Sequence, residues 1–327
     1  MTIPGNPYEV IKNSVLRYLL DGSFQKMYVE AWEGVGATAL LREVAEAVEK
    51  SEKREFETVI KVVRPAPFGN RREMQRAVAE QLNHLLRSPW VTAAAFDAAD
   101  EDDDFKGVEF SSRDLLSEVA EKIYRAVRDR SSSVLLVLCN KIADGKSIDP
   151  NDLGIPIIKG SRNALLWTSG MNISREGVRI QPSNEEAALD LVYKEAVEIA
   201  RYIEESSGGS LRTTPQVVLR CFWYYLLLLH HRAEFNRSAL LLPDGGRPLE
   251  AAVKYFVCDG ILQGDDAASW EIGKALAPVI ESIVNDRLLQ FWEKKIPSST
   301  WTPREEKKEL LPRRLYWSTL LSHREIG

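Results

Sequence analysis

A chain of 327 residues is long enough for two medium domains, each with its own core. Its 44% apolar and 28% charged composition is that of a globular protein, and no uninterrupted apolar run approaches bilayer length, so no membrane partner is expected. A formal net charge of -5 leaves no positive field for counterion release from a phosphate backbone, which argues against nucleic acid.

The opening MTIPGNPYEV has neither a basic-then-apolar leader nor a transit-peptide composition, and a cytoplasmic location is expected. Cys139, Cys221 and Cys258 are too widely spaced for a metal knuckle and read as buried thiols.

In chain order, Pro7 to Leu20 carries apolar side chains at helical spacing and stops at Asp21-Gly22. Met27 to Trp32 reads as a strand, Glu33 to Gly36 as a turn, and the following Ala, Leu, Val and Glu as a helix to about Lys50. Phe56 to Val63 and Arg71 to Leu86 repeat the strand-helix unit. The acidic tract Asp97 to Asp104 is expected to be a solvated loop, because its like charges repel at close spacing. A helix is expected over Ser112 to Arg128. Ser133 to Leu138 is continuously apolar, the pattern of a strand covered on both faces, and Asn163 to Trp167 is a further strand. Alternating strands and helices over residues 1–175 predict an α/β domain with a parallel sheet. Residues 176–327 read as all-helical, with helices over Asn184 to Glu205, Pro215 to His230, Leu249 to Ile261 and Ser269 to Phe291. Ser206 to Ser210 is expected to be a flexible joint.

A strand, a tight loop and a helix N-terminus cradle phosphate, because unpaired backbone N–H groups and the helix dipole converge there. Gly34, Val35, Gly36, Ala37, Thr38 and Ala39 stand in that context and are the candidate nucleotide-binding residues. Against the phosphate-loop pattern GxxxxGK[ST], Ala31 replaces the first glycine and Ala37 the lysine, and only Gly36 and Thr38 match. Glu33 adds a carboxylate, which at 4 Å from a phosphate costs roughly 4 kcal/mol at a near-surface dielectric. The strand from Val134 ends in Cys139 and Asn140 where such folds place a magnesium-organising aspartate, and a neutral thiol cannot do that work.

Taken together these segments resemble the NB-ARC module of plant nucleotide-binding, leucine-rich-repeat disease-resistance proteins, especially the divergent forms of grasses. WEGVGATALL stands at the glycine-rich loop, and SSSVLLVLCNKIADGKSIDPNDLGIPI is similar to the Leu-Leu-Val-Leu-Asp-Asp-Val segment with its downstream Gly-Ile-Pro. GSRNALLWTS resembles the following Gly-Ser-Arg strand, with Trp167 to Gly170 where the family carries a sensing arginine. TPQVVLRCFWYYLLL, AVKYFVCDGIL and EIGKALAPVIESIVNDRLLQ resemble three successive helices of the helical half. The resemblance implies a P-loop-type parallel sheet flanked by helices, then a helical ARC-like domain with a winged-helix-like part over residues 211–291. In that part Cys221, Phe222, Tyr225 and Leu226 are expected to pack on Tyr255, Phe256 and Ile261.

His84, His230 and His231 lack metal-ligand spacing and read as helix-surface residues, and Trp292, Trp301 and Trp317 as a docking surface or a core cover. The function implied is a defence-signalling or regulatory protein and not an enzyme. ADP or ATP is bound weakly if at all, and the partners are proteins, other immune receptors or self. The alternative is a nucleotide-free scaffold or decoy that pairs with full-length receptors.

Overall fold

The computed structural model describes residues 7–22, 25–32, 35–51, 55–86, 93–128, 133–142, 148–155, 163–168, 177–235, 248–258, 260–262 and 266–284. The chain divides into two compact units, Met1–Glu198 and Ile199–Gly327. This division falls later than the change of composition near residue 175.

The first unit begins with helix α1 (Pro7–Leu20), strand β1 (Lys26–Glu30), helix α2 (Ala37–Glu49), strand β2 (Thr58–Val62) and helix α3 (Arg71–Leu86). It continues with α4 (Ala93–Phe105), a 3-10 turn (Phe110–Ser112), α5 (Ser117–Arg128), β3 (Val134–Cys139), β4 (Ala164–Thr168) and β5 (Gly177–Arg179). Helix α6 (Glu185–Ser206) carries the chain into the second unit. The five strands form one parallel sheet in the order β2-β3-β4-β1-β5. It is an α/β fold of parallel strands flanked by helices, compatible with a P-loop-like architecture.

Alternation along β3 explains its unbroken apolar run. Leu136 and Leu138 join Ile60, Val62 and Leu165 in a core with Met74, Val78, Phe96, Val119 and Ile123, from the helices α3 to α5. The intervening Leu135, Val137 and Cys139 are just as buried and, by the two-residue period of a strand, face the opposite side. Helix α2, which packs against β2, β3 and β4, covers the sheet with Leu40, Leu41, Val44 and Val48.

Three expectations are corrected in this unit. The acidic tract is not a loop: residues 97–104 lie in α4, because Arg72, Arg76 and Arg113 neutralise it. Arg72 pairs with Asp100 (2.9 Å) and Asp103 (2.6 Å), and Arg76 with Asp97 (3.0 Å) and Asp100 (2.9 Å). Arg113 pairs with Asp100 and Asp104, and Phe96 anchors the helix in the core. The helix expected from Ser112 starts at Ser117, after an extended Arg113 and a Leu116 amide held by Gln75 Oε1 at 2.8 Å. The stretch after residue 176 is not all-helical, since β5 pairs in parallel with β1 at its edge. With three residues and little apolar content, β5 gives no periodic signal.

The second unit holds α7 (Pro215–Phe235), α8 (Pro248–Cys258) and α9 (Asp266–Ile283), which pack on one another. No strand lies among its described residues. Cys221, Phe222, Tyr225, Leu226, Phe256 and Ile261 are buried as expected. Tyr255 is corrected: it is 38% exposed, and Tyr224 instead meets the Phe256 ring edge-on at 6.2 Å. The Ser206 to Ser210 stretch is a hydrogen-bonded turn, with the Gly209 amide donating to the Glu204 carbonyl at 2.8 Å and Leu211 N–H to Ser207 Oγ at 3.0 Å. His84 is exposed in the last turn of α3. The side chains of His230 and His231, and Trp292, Trp301 and Trp317, lie outside the described residues.

Candidate functional site

In parallel α/β sheets ligands bind beyond the carboxyl ends of the strands, where neighbouring connections leave in opposite directions. Here that point lies between β4 and β1: the chain leaving β1 travels to β2 at one edge, and the chain leaving β4 crosses to β5 at the other. The start of α2 stands there.

Glu33 and Gly34 lie outside the described residues. The rest of the candidate loop is closed and dry. The Val35 amide donates to the Trp32 carbonyl at 2.8 Å, so one donor that a phosphate cradle needs is already used. Val35, Ala37, Thr38 and Ala39 are all buried. Gly36, the residue before the helix, has φ +88°, a left-handed conformation that favours glycine.

What meets this helix start is a side chain 159 residues away in sequence. The Gly36 amide donates to Glu195 Oε2 at 3.0 Å. The Thr38 hydroxyl donates to the same carboxyl group, which is 3% exposed. A carboxylate on exposed helix donors, aligned with the dipole, uses the same interactions that would hold a phosphate. Leu191, one turn earlier on α6, packs so closely over Gly36 that a Cβ there would lie 2.9 Å from Leu191 Cδ2.

Burial pushes the Glu195 carboxyl up to about 7. The hydrogen bonds from Thr38 and Gly36 and the charge of Lys141 pull it down, and Glu198 raises it. Lys141, just past β3, is held below the usual lysine range by burial, which outweighs the opposing pull of the Glu195 carboxyl. The Cys139 thiol, buried on the α2 side of the sheet, is pushed up to about 12. It is therefore a neutral thiol and no magnesium ligand at physiological pH.

Asn140 is equally committed. Its Nδ2 donates to the Ile148 carbonyl at 2.7 Å, and its Oδ1 accepts from the Ile148 amide at 2.9 Å. Its own amide donates to Thr168 Oγ1 at the end of β4, at 3.1 Å. Both ends of the side chain thus brace the segment after β3.

A second layer fixes α6 in place. Arg42 Nε donates to Glu198 Oε2, and its Nη2 to the Val63 carbonyl at 3.1 Å. Glu43 accepts from Lys12 of α1 at 3.0 Å and from Lys194 of α6 at 3.2 Å. Burial pushes Glu43 up, but these two ammonium groups outweigh it and hold the carboxyl below its usual range. The Tyr8 hydroxyl is raised chiefly by burial and by the nearby Glu43 carboxylate, while Lys194 sits 4.3 Å from the Tyr8 ring centroid.

Of the six sequence candidates the structure thus brings Val35, Gly36, Ala37, Thr38 and Ala39 to one helix start, and Gly34 lies outside the described residues. Sequence reasoning missed Glu195, Glu198, Arg42 and Lys141. A signal for the first existed. Ala188, Leu191, Val192, Glu195 and Ile199 follow helical spacing, so Glu195 interrupts an apolar stripe, and a carboxylate on a core face requires a partner.

The fold is that of an α/β protein in which the start of α2 is met from within the chain, by Glu195 of α6. In comparison with known proteins, no family model, no curated protein and no solved structure matches the chain. Among the described residues, no group of three or more His, Cys, Asp or Glu could hold a metal ion, and no helix is long and apolar enough to cross a membrane.

Proposed function

We propose that this protein is a regulatory component of plant defence, similar to an NB-ARC module but working without nucleotide, as a cytoplasmic interaction scaffold or decoy for immune receptors. One observation carries the nucleotide-free part: the Glu195 carboxylate takes the Gly36 amide and Thr38 hydroxyl that a phosphate would need. A nucleotide phosphate entering this position must displace a buried carboxyl group and also meet its charge without the lysine that Ala37 replaces. Weak ADP binding through the α2 amides requires Glu195 to leave. Hydrolysis lacks both electrostatic groups, since Ala37 stands in place of the lysine and Cys139, a neutral thiol, in place of the aspartate, and the Asn140 side chain is taken up by Ile148. The defence role and the protein partners rest on the motif order from WEGVGATALL to the three helices beyond Pro215.

The direct test is to denature the purified protein and chromatograph what it releases. No adenine nucleotide is expected. Stoichiometric ADP or ATP would overturn the nucleotide-free reading. ATP turnover should match buffer, and a steady-state rate that disappears in Thr38→Ala would overturn the non-enzymatic reading.

A further inference from the structure

We infer that Glu195 is a built-in carboxyl ligand of the α2 N-terminus, and that gaining a charge in that buried seat weakens the hold of α6 on the helix.

The geometry is that of a bound ligand. The carboxyl group is buried, meets the first amide of the helix at 3.0 Å, and takes a second hydrogen bond from Thr38. Leu191, also on α6, lies over Gly36, so that a Cβ there would come 2.9 Å from its Cδ2 and displace it. The carboxyl group is also held from outside: Arg42 on Glu198 and Lys194 on Glu43 join the same two helices on either side of Glu195 along α6. In a nucleotide-controlled module the phosphates set the state of this helix start. Here the occupant is covalently part of α6, so it cannot be exchanged, and what can change is its proton.

The charged groups facing Glu195 come from four elements. Helix α2 offers the Gly36 amide, the Thr38 hydroxyl and, through Glu198, the Arg42 guanidinium. The end of β3 offers Lys141 and the Cys139 thiol, α6 offers Glu198, and α1 offers the Tyr8 hydroxyl. Amides, hydroxyl and Lys141 favour the charged form, whereas burial and Glu198 favour the neutral one. The balance puts the transition near neutrality. Because the folded-state value lies above that of an unfolded glutamate, Glu195 contributes its full stability below the unfolded value. That contribution is lost as pH rises through about 7. The hold on α6 therefore loosens on the alkaline side.

This inference rests on the nucleotide-free reading of the same site. The experiment uses nucleotide-free, full-length wild type and Glu195→Gln, with thermal midpoints measured from pH 5 to pH 9. The wild-type midpoint is expected to fall by about 5 °C relative to the variant as pH rises from 6 to 8, a shift of the size a buried carboxyl gives in a domain of this length. Hydrogen exchange of the peptide containing Gly36 and Thr38, corrected for its intrinsic pH dependence, should quicken several-fold over the same range in the wild type alone. Parallel profiles for the two proteins, sloping or flat, would overturn the inference. Should Glu195→Gln not fold, carboxyl-carbon NMR of glutamate-labelled wild type decides: one resonance with a midpoint near 7 supports it, and all glutamates titrating below about 5 sink it. Nucleotide found in the purified protein would refute the proposed function instead, so the two failures are distinguishable.

Discussion

The amide of Gly36 donates to the carboxyl group of Glu195 at 3.0 Å, and Leu191 of the same helix α6 closes over the glycine. Gly36→Ala adds a Cβ 2.9 Å from Leu191 Cδ2 at a residue with φ +88°. Strain and displacement act together, and the variant should lose about 1–3 kcal/mol of stability in chemical denaturation. Gly107→Ala has the same sign of φ but open space around the Cβ, and should lose only about 1 kcal/mol. Equal losses would show that Leu191 does not seat on Gly36.

On the proposed reading, making this helix start bind phosphate should take three changes. Ala37→Lys and Cys139→Asp supply a lysine and an aspartate, yet with Glu195 in place the lysine meets a carboxylate already seated on the helix. Adding Glu195→Ala removes that competitor. Calorimetry with ADP and magnesium is expected to show binding in the triple variant and little or none in the double. Equal affinity in both would show that Glu195 does not compete.

The Asn140 side chain binds Ile148 through both its amide hydrogen and its carbonyl oxygen. Asn140→Asp keeps the acceptor but turns the donor into an anion facing the Ile148 carbonyl. It should cost about 2–3 kcal/mol at pH 7, and less at acid pH where the new carboxyl can donate. Urea midpoints at pH 5 and pH 8 would show this, and a pH-independent loss would contradict it.

Asp100 meets three guanidinium groups, of Arg72, Arg76 and Arg113, and the side chain of Arg72 is only 8% exposed. Asp100→Asn leaves these cations undercompensated and should cost about 1–3 kcal/mol, whereas Asp102→Asn, which breaks the solvent-screened pair with exposed Lys106, should leave stability almost unchanged. The two variants can be ranked by denaturation at low salt. If they are equal, the α3–α4 ion-pair network does not hold the acidic helix.

Under native conditions at pH 8, iodoacetamide should modify Cys258 and spare Cys139 and Cys221. Cys258 is exposed, while burial hides the other two and raises both thiols. Peptide mass spectrometry reads the outcome, and early labelling of Cys139 would mean that the end of β3 opens.

Local sequence determined much of the scaffold. Helix α3 spans Arg71–Leu86 as its periodicity predicts, and the continuous apolar run of β3 announced a strand covered on both faces. Both signals depend on burial repeated along one short segment, which a reader of the chain can see. The candidate loop was legible for the same reason, since a strand, a glycine and an alanine-leucine helix follow one another directly.

Tertiary structure decided the rest wherever a residue's state depends on a distant partner. Asp97 to Asp104 repels itself as an isolated segment and folds as a helix only because three arginines from elsewhere in the chain face it. Strand β5 has too few residues to show a period and exists through its pairing with β1. Glu195 is a polar break in an amphipathic helix until the fold brings it to Gly36. The sequence by itself determined that the loop before α2 carries Ala37 where the phosphate-loop pattern has a lysine. Only the fold supplied the carboxylate that fills the position, because a hydrogen bond between residues 159 apart has no local signature.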